Sequence, residues 1–123
     1  MKDISSREDI DLLVRAFYEK LLADKEVGYL FTEVAQLDLE EHFPQLVDFW
    51  EAQLLSGTNY EGNPMRVHLD LHRKESLTQA HFERWLAHFN ATVDEMFEGP
   101  KAHLAKERAL SIATVMRIKI AQL

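Results

Sequence analysis

Two histidines four residues apart, His68 and His72 in "NPMRVHLDLHRKES", are the side chains of this chain most able to hold a metal, and no cysteine accompanies them. On a helix that spacing stacks both imidazoles on one side, with Met65 and Leu69 between and beside them. The helix that would carry them is confined between Pro64, suited to a first helical position, and Ser76, a capping residue, so it has three turns at most. The flanks differ. His68 lies between Val67 and Leu69, whereas His72 precedes Arg73, Lys74 and Glu75, where a charged imidazole suits the helix C-terminal dipole. Three readings stay open on the residues alone: a core histidine bonded to a carbonyl, a zinc pair completed by Asp70 or a third ligand elsewhere, or one imidazole holding haem iron from one face. A zinc peptidase is disfavoured, because that motif puts Glu directly after the first His and here Leu69 stands there.

Haem needs a flat apolar slot, and Phe31, Leu46, Phe49, Trp50, Phe82, Trp85 and Phe89 supply aromatic and aliphatic bulk at helical spacings. Such a stripe is by itself more often core than cofactor box. The elements that must position these groups read as helices throughout. Ser6, with Asp9 three residues on, caps a helix over about 7 to 23 whose Ile10, Leu13, Val14, Phe17 and Leu21 share a face. "VGYLFTEV" predicts a single turn anchored by Phe31, then an irregular loop. "EEHFPQLVDFWEAQLLSG" puts His42, Leu46, Phe49 and Trp50 on one stripe, and Pro44, tolerated in a first turn, sets the helix start near His42, with Gly57 as the stop. Ser76 with Gln79 predicts a capping box for a helix whose wide face holds Leu77, Phe82, Trp85, Leu86, Phe89, Val93 and Phe97. Gly99 and Pro100 punctuate, and a last helix runs over 101 to about 121 on Leu104, Ala109, Ile112, Ala113 and Met116. No segment shows sustained period-two alternation, so the class is all-α.

The 123 residues make one domain, 1–123, long enough to bury roughly two thirds of its unfolded surface. Zero cysteines exclude disulfides, thiolate zinc sites, iron–sulfur clusters and a thiol nucleophile, and suit a reducing, cytoplasmic compartment. A formal charge of −7, from 21 acidic against 14 basic residues, disfavours a nucleic-acid partner, and no apolar run marks a signal peptide or a membrane span.

The succession "AFYEKLLAD", "LF", "HFPQLVDFW", "YEGNPMRVHLDL" and "HFERWLAHF" resembles the truncated haemoglobins, in particular those of group III, from about residue 10 to about 118. The glycine-glycine motifs of other truncated globin groups are missing, in keeping with group III. The resemblance implies a two-over-two helical sandwich holding haem b between the helices at 42–55 and 64–73. It matches His68 to the proximal iron ligand, leaving His72 a bystander. Carried over in the same way, Tyr18 is the distal tyrosine, Phe31 the ring packed on the porphyrin, Trp85 the tryptophan facing bound ligand, and His42 the gate-like distal position with Leu46 one turn further in. Arg66 and Arg73 lie on or beside the helix of His68 and are candidate partners for the haem propionates.

Ferrous iron with one neutral imidazole keeps an open sixth position, where a phenol O–H or an indole N–H stabilises the negative charge that a diatomic ligand acquires. The expected function is reversible binding of O2, CO or NO. Two such donors slow release, which argues against bulk O2 transport and leaves NO dioxygenation or peroxide activation open. Turnover would draw electrons from a separate reductase, since no flavin or nicotinamide domain is present in the sequence. A monomer or weak dimer is expected. The competing classes are a haem-free all-α domain acting through protein contacts, which predicts no chromophore, and the His68/His72 zinc protein, which predicts equal sensitivity to loss of either histidine.

Overall fold

The computed structural model of the chain describes residues 1–34, 38–55 and 77–122. The proposed helix at 64–73, with Pro64, Arg66, His68, Asp70, His72 and Arg73, and the capping residue Ser76 lie outside the described residues.

Helix α1 runs Arg7–Ala23, and Ser6 caps it as expected, its hydroxyl accepting from the Asp9 N–H. The capping box does not close, because the Asp9 carboxylate accepts instead from the Ser5 N–H, the Ser5 hydroxyl and the Lys2 ammonium. Those partners hold the Asp9 carboxyl down at about 2. Ile10, Leu13, Val14, Phe17, Tyr18 and Leu21 are buried along one face. The chain then turns through Gly28, where an added Cβ would stand 2.8 Å from the Leu22 carbonyl oxygen, so the backbone can pass the end of α1 this closely only without a side chain. One π-helical turn follows at Leu30–Val34, in keeping with the single turn anticipated there.

Helix α2 spans Leu39–Leu54, capped by Asp38, whose carboxylate accepts from the Glu41 N–H. It starts before the expected position near His42, and Pro44 is a second-turn residue inside it. Pro44 leaves the Glu40 carbonyl without its usual backbone donor, a loss tolerated on the exposed side of the helix where Pro44 lies. The Asp38 cap outweighed the proline signal. The single stripe expected for this helix is two: Phe43, Val47, Trp50 and Leu54 are buried, while His42, Leu46 and Phe49 are half-buried one position away.

Helix α3 is Gln79–Met96. Its cap is Thr78 rather than Ser76: the Thr78 hydroxyl accepts from the His81 N–H, and the His81 ring accepts from the Thr78 N–H in return. An imidazole thus occupies the place usually filled by Glu or Gln, which is why the spacing did not announce itself. Helix α4, Pro100–Ala121, opens with Pro100 in the first turn behind Gly99 at φ 142°. Asp3, from the N-terminal segment, accepts from the Lys101 and Ala102 N–H groups at 2.9 and 2.8 Å, and caps α4 across the molecule.

No strand occurs among the described residues. Helix α1 packs on α2 and on α3, and α4 packs on α3 and on α2. Two helix pairs, α1/α2 and α3/α4, therefore close on one another as a two-over-two sandwich. Between them Phe89, fully buried, stacks on Trp50 with ring centroids 4.9 Å apart and meets the edge of Phe17 at 5.2 Å. Among the described residues no helix is long and apolar enough to cross a membrane.

Candidate haem slot

One end of the α1–α3–α4 junction is not filled by side chains. Leu21, Val27, Phe31, Leu77, Phe82, Trp85, Ile112 and Met116 line an apolar cleft with about 510 Å³ of empty space, its open mouth included. Among the described lining residues His81 is the one ionisable side chain. Phe31, Trp85, Leu77 and Ile112 are half-buried, although each packs against the core. Large apolar side chains held half-covered around a slot suit a flat hydrophobic cofactor, which would remove the remaining surface from water.

The polar side of the site forms where α1 meets α2. Tyr18, 6% exposed, places its hydroxyl 3.2 Å from the Nε2 of His42. Four rings pack edge-on around the phenol: Phe31 at 5.5 Å, Phe43 at 5.5 Å, Phe17 at 5.6 Å and His42 at 5.9 Å between centroids. Burial pushes the Tyr18 phenol far above its ordinary value, so it remains a neutral donor. With its proton in place the hydroxyl donates to Nε2 whenever His42 carries its own proton on Nδ1. Trp85 joins this group through Phe17, whose ring lies 5.6 Å from Trp85 and 5.6 Å from Tyr18.

Tyr18, His42, Phe31 and Trp85, far apart in sequence, thus come to one end of the sandwich. Leu46 and Phe49 lie on the half-buried face of α2 that also carries His42. Trp50 is turned to the core, 4% exposed and stacked on Phe89. His68 and Arg66 lie outside the described residues, and among the described residues no cluster of three or more His or carboxylate groups could hold a metal ion. Sequence reasoning missed His81, Leu30, Ile112 and Met116 as slot residues. The last two had been read only as core positions of α4, and a helix period cannot say which part of a buried face borders a cavity.

A family model described as bacterial-like globin matches residues 2–121. The group 3 truncated haemoglobin ctb of Campylobacter jejuni subsp. jejuni is 30% identical over 112 residues, 89% of this chain and 86% of that protein. The crystal structure of the group III truncated haemoglobin from Campylobacter jejuni superposes with a TM-score of 0.84 at 29% identity, covering 98% of this chain and 95% of the other. The chain belongs to the group III truncated haemoglobins, within the bacterial-like globin family. This truncated haemoglobin is a haem-binding globin, and haem b is its cofactor. The residues present fit the group: an almost wholly apolar cleft suits a porphyrin, and the Tyr18–His42 pair nearby is polar.

A further cluster braces this end of the globin. The Asp24 carboxylate, 8% exposed at the C-cap of α1, accepts from Arg84 at 2.9 Å, from His88 at 2.7 Å and from the Glu26 N–H at 2.9 Å. Its hydrogen bonds, led by His88, lower its carboxyl to about 2. Arg84 and His88 bracket Trp85 on α3, and Asp24 begins the turn that leads to Phe31, so one carboxylate ties together the two segments that carry the slot rings.

Proposed function

We propose that this truncated haemoglobin binds diatomic ligands, O2, CO or NO, at five-coordinate ferrous iron, with His68 as the protein ligand to the metal and Tyr18, Trp85 and His42 on the ligand side. The reading is supported above all by the Tyr18 hydroxyl at 3.2 Å from His42 Nε2, beside Phe31 on the wall of an otherwise apolar slot. When bound, haem b supplies an iron with an open coordination position. The chain's own part is then to exclude water with Phe31, Leu46, Phe49 and Trp85, to offer the neutral phenol of Tyr18 and the indole N–H of Trp85 as donors, and to let His42 occupy or release the phenol. Arg66 is the proposed cation for a propionate.

With the His42 proton on Nδ1, Tyr18 donates to His42 in the closed arrangement, and a swing of His42 toward solvent both opens a path and frees the phenol O–H. Slow ligand release follows from two donors, so sensing or chemistry on O2 or NO, with electrons from a separate reductase in the cytoplasm, suits the site better than bulk oxygen transport.

The test is the absorption spectrum of the purified protein after addition of haemin, reduction and exposure to CO. A Soret band that shifts sharply with CO is the expected result, and His68→Ala should abolish the five-coordinate ferrous spectrum. An unchanged ferrous spectrum in that variant overturns the assignment of His68. Equal losses in His68→Ala and His72→Ala would favour a metal held by both.

A further inference from the structure

His81 stands out in the slot as an ionisable side chain among apolar neighbours. Its protonation geometry is settled by the cap of α3. Nδ1 accepts the Thr78 N–H at 3.1 Å, so the neutral ring keeps its single proton on Nε2. That Nε2–H meets the Tyr29 hydroxyl oxygen at 3.4 Å, beyond the 2.7–3.2 Å of a good N–H···O bond, with the two rings edge-on at 6.1 Å. The His81 ring thus lines the slot with a fixed tautomer, its Nε2–H turned toward Tyr29, and among the described residues that long contact is the one this half-buried donor makes.

Haem b brings what such a donor lacks. Its porphyrin is apolar, but its two propionate carboxylates need hydrogen-bond donors wherever they leave water. We infer that His81 is a propionate-binding residue: its Nε2–H, at the edge of the slot, donates to a haem carboxylate, with the Tyr29 hydroxyl beside it. The inference rests on the slot being the haem slot and adds a propionate partner to Arg66, on a different element of the chain. His81 would then couple two roles, the cap of the Trp85 helix through Nδ1 and the hold on the cofactor through Nε2.

The cap and the donor can be separated by substitution. Gln and Glu both serve at the third helical position of a capping box, so His81→Gln and His81→Glu each keep the acceptor for the Thr78 N–H. Gln keeps a donor, whereas Glu removes it and sets one carboxylate against another. Each variant is loaded with haem b, and the rate of haem transfer to excess apomyoglobin is followed in the Soret region. His81→Glu should lose haem about tenfold faster than His81→Gln, the factor that corresponds to ~1.4 kcal/mol. With the dimethyl ester of haem, whose carboxylates are blocked, the two variants should lose cofactor at the same rate. Equal rates with natural haem overturn the inference, as does a difference that persists with the ester, since that effect would run through the fold. A wild-type chain that develops no Soret band with haemin removes the haem-slot reading and this inference together, whereas equal rates in the two variants remove only the inference.

Discussion

The phenol of Tyr18 is buried, held neutral and 3.2 Å from His42, and its chemistry follows from those three facts. Ionising it would place a phenolate among the rings of Phe17, Phe31 and Phe43. The ferric haem protein is therefore expected to show no tyrosinate charge-transfer band between about pH 6 and 9; its growth with pH would mean that the pocket opens enough to hydrate Tyr18. In the role proposed for Tyr18, Tyr18→Phe removes a donor to a ligand that carries negative charge, an interaction of about 1.5–3 kcal/mol, so stopped-flow O2 dissociation should quicken by about tenfold or more. Asp24 gives a prediction of the opposite kind, about stability. Its carboxyl is lowered to about 2 by His88, the Glu26 N–H and Arg84, against an ordinary value near 3.9. A depressed pKa stabilises the folded state above the unfolded value, and the contribution disappears as pH falls from about 4 through about 2. Asp24→Asn should thus lower the urea midpoint at pH 6 and lose that difference near pH 2.5. These residue-level properties were only partly legible in the chain: Tyr18 was placed by likeness to a family, but nothing near Asp24 in sequence announces Arg84 and His88.

At the scale of elements, the helix extents were legible where a local cap and an apolar period agreed. Helix α1 is such a case, with Ser6 at its start and its buried face as expected. Helix α2 is not, because two local signals conflicted and the Asp38 cap prevailed over Pro44. Pro44→Ala would return the missing N–H to the Glu40 carbonyl on an exposed turn and remove the ring that crowds it, and a gain of about 1 kcal/mol in urea unfolding is expected. Since the same turn holds His42, a stiffer start to α2 should also slow CO entry if the His42 swing uses that irregularity. The junction before α4 is the converse. Gly99 at φ 142° abuts Asp3, and a Cβ there would lie 2.6 Å from the Asp3 Cγ. Gly99→Ala combines a strained backbone with displacement of the carboxylate that caps α4, and thermal denaturation should report a loss of about 1–3 kcal/mol.

For the molecule as a whole, the core and the slot share their rings. Phe89 is stacked between Trp50 and Trp85, at 4.9 and 5.9 Å, so the aromatic column that closes the sandwich also supports the slot wall. Phe89→Ala should cost about 3–5 kcal/mol as a buried cavity and loosen Trp85 with it. The half-buried Phe31, Trp85, Leu77 and Ile112 leave apolar surface for the cofactor to cover, and a ligand that binds only the folded chain raises its stability by mass action. The haem-loaded protein should melt well above the haem-free one, the gap growing with excess haemin until aggregation of free haemin limits it.

The sequence by itself determined the all-helical class, the break at Gly99 and Pro100, the buried face of α1 and, through the order of its aromatic and histidine motifs, the globin family. Those properties are local, because a helix repeats every 3.6 residues and a cap needs partners three positions away. What only the tertiary structure decided is which face meets which neighbour. Tyr18 reaches His42 across two helices, Asp24 gathers Arg84 and His88 from a third, and the two stripes of α2 part into one that fills the core and one left beside the slot. Periodicity ranks residues by their side of a helix, but the partner across the gap is set by packing between segments far apart in the chain.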